Sequence, residues 1–248
     1  MSATAANQWD ADAYARDAAF VPALGNAVLN LLAPKSGERI LDLGCGDGVL
    51  TEKLVAAGAN VHGIDFDAGM VSVAQGKGLS AEVMDGQALT FEGEYDAVFS
   101  NAALHWMPDH PAVFSGVHRA LKPAGRFVLE CGGFGNLAAM RTALRAVLSR
   151  RGLKSPDVQV YPTADAASRQ LEAAGFDVET CGIIPRPTPL ASGMAAWFQT
   201  FRHGFLPEDH RDDIVAEAVD LLRPSLCDGE GKWVADYVRL RFKAVKKG

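Results

Sequence analysis

The chain has 248 residues, with 24 Lys and Arg against 30 Asp and Glu, a formal charge of −6, 48% hydrophobic and 22% charged residues. Such proportions exclude a disordered, collagenous or strongly basic nucleic-acid-scaffold chain. The length permits one large α/β domain or two small ones, and the acidic balance gives no electrostatic reason to expect binding to a phosphate backbone.

In chain order, residues 39–43 (Arg-Ile-Leu-Asp-Leu) predict a strand, followed by glycines and an amphipathic helix over about 49–57. Residues 60–65 read as a second strand with a helix through 70–75, 81–84 as a third, short strand and 95–100 as a fourth. A helix over 111–121 is stopped by Lys122-Pro123-Ala124-Gly125; a fifth strand over 126–130 and a helix over 137–150 follow. Residues 163–174 predict another helix, ended by Gly175, and 176–184 a sixth strand. Then Pro185, Pro187 and Pro189 break the pattern, and helices are expected over 192–205 and 208–222. Alternation through Val234, Tyr237-Val238, Leu240 and Phe242 suits a last strand over 233–245.

Strands alternating with helices imply βαβ units and a mostly parallel sheet, and the near-continuous apolar strands fit burial on both faces. The expectation is one domain over 1–248, with a helical cap over 1–30 and a helical lid inserted at 186–231 before the last strand. Cysteines at 45, 131, 181 and 227 form no Cys-x-x-Cys pair, so neither a zinc site nor a disulfide framework is expected. The first twenty residues carry Asp10, Asp12, Arg16 and Asp17 without an apolar core, and no run of about 18 apolar residues exists. These features predict a cytoplasmic protein with no membrane span, no nucleic-acid partner and no metal; monomer and homodimer stay open.

Asp42-Leu-Gly44-Cys45-Gly46-Asp-Gly48 follows a strand and opens a helix. In an open α/β sheet a nucleotide-type ligand docks there, outside the carboxyl ends of the strands. Glycines at 44 and 46 allow a sharp turn and a close ligand approach. The spacing is Gly-x-Gly-x-Gly rather than Gly-x-Gly-x-x-Gly, since Val49 fills the next slot. Asp42 before the first glycine would repel a pyrophosphate but suit an ammonium group. Asp65 ends the second strand at the distance from which a carboxylate accepts ribose hydroxyls, though an Asp at a strand end also serves as a helix N-cap. Phe66 and Met70 offer apolar surface for an adenine. Asp85-Gly86-Gln87 presents a carboxylate and free backbone groups to the adenine amino edge, and is also a turn signal.

Residues 39–48, Asp65, Asp85-Gly86, Tyr95-Asp-Ala-Val-Phe-Ser-Asn101 and Leu121-Lys-Pro-Ala-Gly-Arg126 together resemble a class I S-adenosylmethionine-dependent methyltransferase. Ser100-Asn-Ala-Ala-Leu-His-Trp106, with Trp9 and Tyr14, most resembles the trans-aconitate methyltransferase-like group within it. The resemblance implies a Rossmann-like seven-stranded sheet of order 3-2-1-4-5-7-6 with the last strand antiparallel. It also implies S-adenosylmethionine as cofactor rather than NAD. Carried onto this chain, Gly44 and Gly46 would line the methionyl portion, Asp65 would hold the ribose, and Asp85 would face the adenine amino group with the Gly86-Gln87 backbone near the ring. Asn101 would turn its carbonyl to the methionyl ammonium. Cys45 and Ala102 belong to the same cofactor-facing turns.

Methyl transfer from a sulfonium is an in-line displacement in which the enzyme contributes alignment and exclusion of water. A carboxylate acceptor needs no base, whereas a phenol, ammonium or carbon acid does. His105, after the fourth strand, is the catalytic candidate, either as that base or as a pocket-shaping side chain. Trp9, Tyr14, Phe20, Trp106, Trp197, Arg202 and His203 are candidates for touching a small-molecule substrate, while the stripe Trp197-Phe198-Phe201-Phe205 also reads as core at helical spacing. Arg186, Arg202, His203 and Arg211 in the lid favour a carboxylic acid as acceptor. O-, N- or C-methylation of a secondary metabolite, with His105 as base, is the alternative. A non-catalytic S-adenosylmethionine-binding protein is the third reading.

Overall fold

The structure, a computed structural model, describes residues 25–154, 158–202 and 206–248. Trp9, Tyr14, Phe20 and His203, and most of the expected cap, lie outside the described residues. In chain order the elements are α1 (Asn26–Leu32), β1 (Arg39–Leu43), α2 (Val49–Ala56), β2 (Asn60–Asp65), α3 (Ala68–Gly76), β3 (Ala81–Val83), β4 (Tyr95–Asn101), α4 (His110–Ala120), β5 (Leu121–Gly132), α5 (Ala138–Arg150), α6 (Ala164–Ala173), β6 (Phe176–Leu190), α7 (Gly193–Arg202), α8 (Arg211–Leu226) and β7 (Trp233–Lys246). Single 3₁₀ turns stand at Gly86–Ala88, Leu104–Trp106 and Glu208–His210.

The seven strands form one sheet of order β3-β2-β1-β4-β5-β7-β6. β1 pairs in parallel with β2 and β4, and β4 with β5, while β7 runs antiparallel to β5 from Arg126↔Val245 to Gly132↔Arg239. The expected order and the antiparallel last strand are both observed. Because strand side chains alternate between faces, the sheet has two cores. One gathers Leu41, Val98, Phe127, Leu129 and Phe242 against Val113, Phe114 and Val117 of α4 and Leu171 of α6. The other gathers Ile40, Val61, Phe99 and Val128 against Val28 and Leu32 of α1 and Leu50 and Leu54 of α2. Burial on both faces explains why these strands read as apolar runs rather than alternating ones.

Two expectations at strand boundaries are corrected. β5 starts at Leu121, because Tyr95 pairs with Leu121 before a bulge carries the chain through Lys122-Pro123-Ala124-Gly125 to the pair Ala97↔Arg126. β6 continues through Pro185, Pro187 and Pro189 to Leu190. β6 is an outer strand, and its three prolines recur with period two and are all exposed. Alternate residues turn their N–H to the same side, so on an outer strand prolines spaced by two can all direct the missing donor to the open edge, where no ladder bond is needed.

The described residues fall into two compact units: 25–134, 159–184 and 239–248 in the first, and 135–154, 158, 185–202 and 206–238 in the second. In the second unit Trp197 Nε1 donates to Tyr237 Oη at 2.8 Å, Arg150 and Arg151 both pair with Glu217, and the Asp236 carboxylate caps α5 by accepting from Ala139 N at 2.7 Å.

Candidate functional site

Gly44, Gly46 and Gly48 all have left-handed φ, at +77°, +56° and +83°, a conformation that side chains resist. The backbone of the turn is tied to β2: Gly44 N and Cys45 N both donate to Ile64 O, at 2.8 and 3.0 Å, and Gly46 N donates to Asp65 Oδ2 at 2.9 Å. The three glycines serve different ends. A Cβ at Gly44 would overlap Ala103 and one at Gly48 would overlap Leu79, so these two are bare for the chain's own packing. A Cβ at Gly46 would meet nothing within 4 Å among the described residues. Only Gly46 therefore keeps the open approach that the sequence assigned to Gly44 as well.

Asp65 does not cap α3. Asp67 does, accepting from Met70 N at 3.0 Å, while Asp65 Oδ1 accepts from Asp67 N at 2.9 Å. With Gly46 N on Oδ2, the Asp65 carboxylate is fixed from both sides by backbone donors that favour its charged form, against a burial that pushes its pKa up. Asp42 is buried, and its Oδ2 accepts from Thr51 Oγ1 at 2.7 Å. Burial pushes the Asp42 carboxyl up to about 7, the Thr51 hydroxyl opposes this, and the charge of Asp65 adds to it. The Cys45 thiol is likewise pushed up, by burial and then by Asp42 and Asp65, so it is no thiolate nucleophile. Phe66 is 64% exposed and offers its ring, whereas Met70 is 5% exposed and faces inward.

Asp85 caps the 3₁₀ turn at Gly86–Ala88, its Oδ1 accepting from Gln87 N at 2.9 Å. The Gln87 N–H expected to be free is thus taken, and its side chain is a brace, donating to Asp85 Oδ1 at 3.2 Å and accepting from Asp109 N at 3.0 Å. Gly86 is bare because a Cβ there would crowd Leu43 and Met107.

At the end of β4, buried Ser100 donates from Oγ to Leu43 O at 2.7 Å, Asn101 is half-buried, and Ala102 takes a left-handed φ of +60° with its N–H on Glu130 O at 2.7 Å. A non-glycine residue held there is strained, and such strain gathers at functional sites. His105 follows on the next turn, 7% exposed, and its Nδ1 accepts from Gly132 N at 3.3 Å. The His105 ring lies 5.5 Å from Trp106 and 5.7 Å from Tyr161, and His105 O accepts from Val160 N at 3.1 Å. Tyr161 and Gly132 escape sequence reasoning, because neither sits in a motif and each meets His105 only through the fold.

Trp197 and Arg202, expected to touch substrate, are 4% and 6% exposed in the second unit. The Trp197 ring meets Phe198 and Phe201, and the Arg202 guanidinium lies 5.8 Å over it. Among the described residues the two build interior, as the stripe of helical spacing indicated. Also among the described residues, no cluster of three or more His, Cys, Asp or Glu could hold a metal, and no helix is long and apolar enough to cross a membrane.

A family model described as a methyltransferase domain matches residues 41–129. An uncharacterized methyltransferase of Schizosaccharomyces pombe is 38% identical over 255 residues, covering 96% of this chain and 98% of the relative. Trans-aconitate 2-methyltransferase of Deinococcus radiodurans is 33% identical over 205 residues, covering 76% and 78%. A phosphoethanolamine N-methyltransferase of Haemonchus contortus, solved with phosphomonomethylethanolamine and S-adenosylhomocysteine, shares the fold at a TM-score of 0.60 and 22% identity, over 91% of this chain and 53% of that one. The cofactor is S-adenosylmethionine, and the site fits it: an open approach at Gly46, a carboxylate held by backbone donors at Asp65, and an exposed ring at Phe66. A turn built for an adenosyl ligand, matched along nearly the whole chain by a methyltransferase, makes this enzyme a member of the class I S-adenosylmethionine-dependent methyltransferases.

Proposed function

We propose that the enzyme methylates a carboxylate oxygen of a small organic acid. The observation that carries this reading is the bond from Gly132 N to His105 Nδ1. A neutral imidazole that accepts at Nδ1 holds its proton on Nε2, so it offers a donor where a hydroxyl, amine or carbon acceptor would need a base. A carboxylate needs no base and is well served by a donor. The 33% identity to a trans-aconitate 2-methyltransferase supports the same acceptor chemistry.

When bound, S-adenosylmethionine supplies a methyl group on a cationic sulfur that leaves as a neutral thioether without taking a proton. The chain's residues bind and align. Gly46 would admit the methionyl chain, Asp65 would accept from the ribose hydroxyls, Asp85 would face the adenine amino group and Phe66 would cover the ring. The Asn101 carbonyl and the charge of Asp42 would hold the ammonium. His105 Nε2–H orients the acceptor carboxylate, with Trp106 and Tyr161 beside it. A carboxylate acceptor would need no proton moved by the chain, so none of these residues has to act as a base. Alignment of this kind supplies several kcal/mol.

Radiolabelled transfer to a panel of small acids, phenols and amines tests the reading. A product that releases its label in mild base is the expected methyl ester; a base-stable ether or amine product overturns it. His105→Ala should lower kcat less than about tenfold, since a lost general base costs about 10²–10⁴-fold.

A further inference from the structure

The glycine turn has three left-handed residues among five, and glycine loses more freedom on ordering than any other residue. Such a turn keeps one shape only if it is tied from outside. One side is tied by β2, through Ile64 O and the Asp65 carboxylate. The other side is met by α3. Its first turn begins at Asp67, whose N–H is on Asp65, and its last turn brings Ala74 against Gly48. From the C-cap of that helix, Lys77 Nζ donates to Asp47 O at 2.8 Å and reaches Asp47 Oδ2 at 3.4 Å. Glu52 Oε2 lies 3.9 Å away, and the Lys77 side chain is 29% exposed. Lys77 stands 30 positions from Asp47.

We propose that Lys77 is a positioning residue for cofactor binding, fixing the Asp47 peptide and with it the open face at Gly46 through the bond to the Asp47 carbonyl. α3 is then a strut pinned to the turn at both ends, by Asp65 and Asp67 at one and by Lys77 at the other. The ammonium also offsets part of the negative charge that Asp42, Asp47, Asp65 and Asp67 gather around the turn. Lys77 touches no cofactor atom in this account; it acts through the backbone it holds. A donor without a carboxylate partner suffices for that, so the ion pair to Asp47 is secondary.

The test is calorimetric titration of the full chain with S-adenosylhomocysteine, beside thermal unfolding and hydrogen exchange of the amides at 46–49. Lys77→Met should raise Kd about tenfold, as expected for losing one charge-assisted hydrogen bond, and speed exchange at 46–49. Lys77→Arg should bind within about threefold of the native chain, because its guanidinium still donates to the carbonyl. Asp47→Asn, which keeps the backbone oxygen, should do the same. Native-like affinity in Lys77→Met overturns the proposal. So does a loss of affinity in Lys77→Arg as large as in Lys77→Met. If Lys77→Met fails to fold, Lys77→Ala replaces it, and unchanged exchange at 46–49 in that variant is equally fatal.

Discussion

The carboxyl end of the sheet and the second unit use side chains in opposite ways. Around the glycine turn, carboxylates and backbone amides are arranged for a ligand: Asp65 held by two N–H groups, Asp42 buried with a hydroxyl, and Gly46 bare toward open space. In the second unit the polar groups turn to the protein itself: the Trp197 indole to Tyr237, Arg150 and Arg151 to Glu217, and the Asp236 carboxylate to the first turn of α5. The same residue types that mark a site in one region are packing in the other. A substitution should therefore be read in affinity in the first region and in stability in the second.

Trp197→Ala breaks the comparison hardest if it is wrong. The ring is 4% exposed, edge-on to Phe198, tilted against Phe201, and bonded to Tyr237. Its removal should cost about 3–5 kcal/mol in urea unfolding. The Kd for S-adenosylhomocysteine should stay within about threefold, as for independent sites. A large change in Kd with stability intact would place Trp197 in the ligand site after all.

Gly46→Val is the mirror case. A Cβ at this position meets no atom of the described residues within 4 Å, so beyond the strain of φ +56° its attachment costs the fold little. A β-branched side chain should fill the approach and weaken S-adenosylhomocysteine binding by about 100-fold or more, or about 2.7 kcal/mol, read by calorimetry. Gly44→Val should instead fail in folding, because its Cβ overlaps Ala103.

The contrast also explains what could be read from the sequence. The glycine turn is legible because left-handed positions favour glycine, and the strands because burial on two faces makes them apolar throughout. Asp65 was legible from its distance to the turn, but not the division of labour by which Asp67 takes the capping role. The prolines of β6 were misread because a proline is harmless only on an outer edge, and edge position is a property of the sheet order. For Trp197 and Arg202 the sequence does not tell a ligand contact from packing, because an aromatic or arginine looks the same in sequence whether its partner is a ligand or, as for Trp197, a tyrosine 40 positions away. Lys77 and Tyr161 left no signal, since their partners lie in other elements.

The smallest effect sharpens the ligand side of the comparison. Asp42 carries a carboxyl raised to about 7, and Thr51 donates to it. A bound ammonium favours the ionised carboxylate, so below that pKa binding must also expel a proton. The sign follows: affinity rises with pH and levels off above about 7, and S-adenosylhomocysteine should bind about tenfold more tightly at pH 7.5 than at pH 6. Asp42→Asn should flatten this limb, since nothing is left to ionise. Thr51→Val is the finer probe. The hydroxyl bond favours the charged form, so its loss raises the Asp42 pKa further and moves the limb to higher pH, leaving affinity on the alkaline side nearly unchanged. A Thr51→Val profile that stays in place, or moves toward acid, would mean that the pH dependence belongs to another group and that the buried Asp42 is packing, as the polar groups of the second unit are.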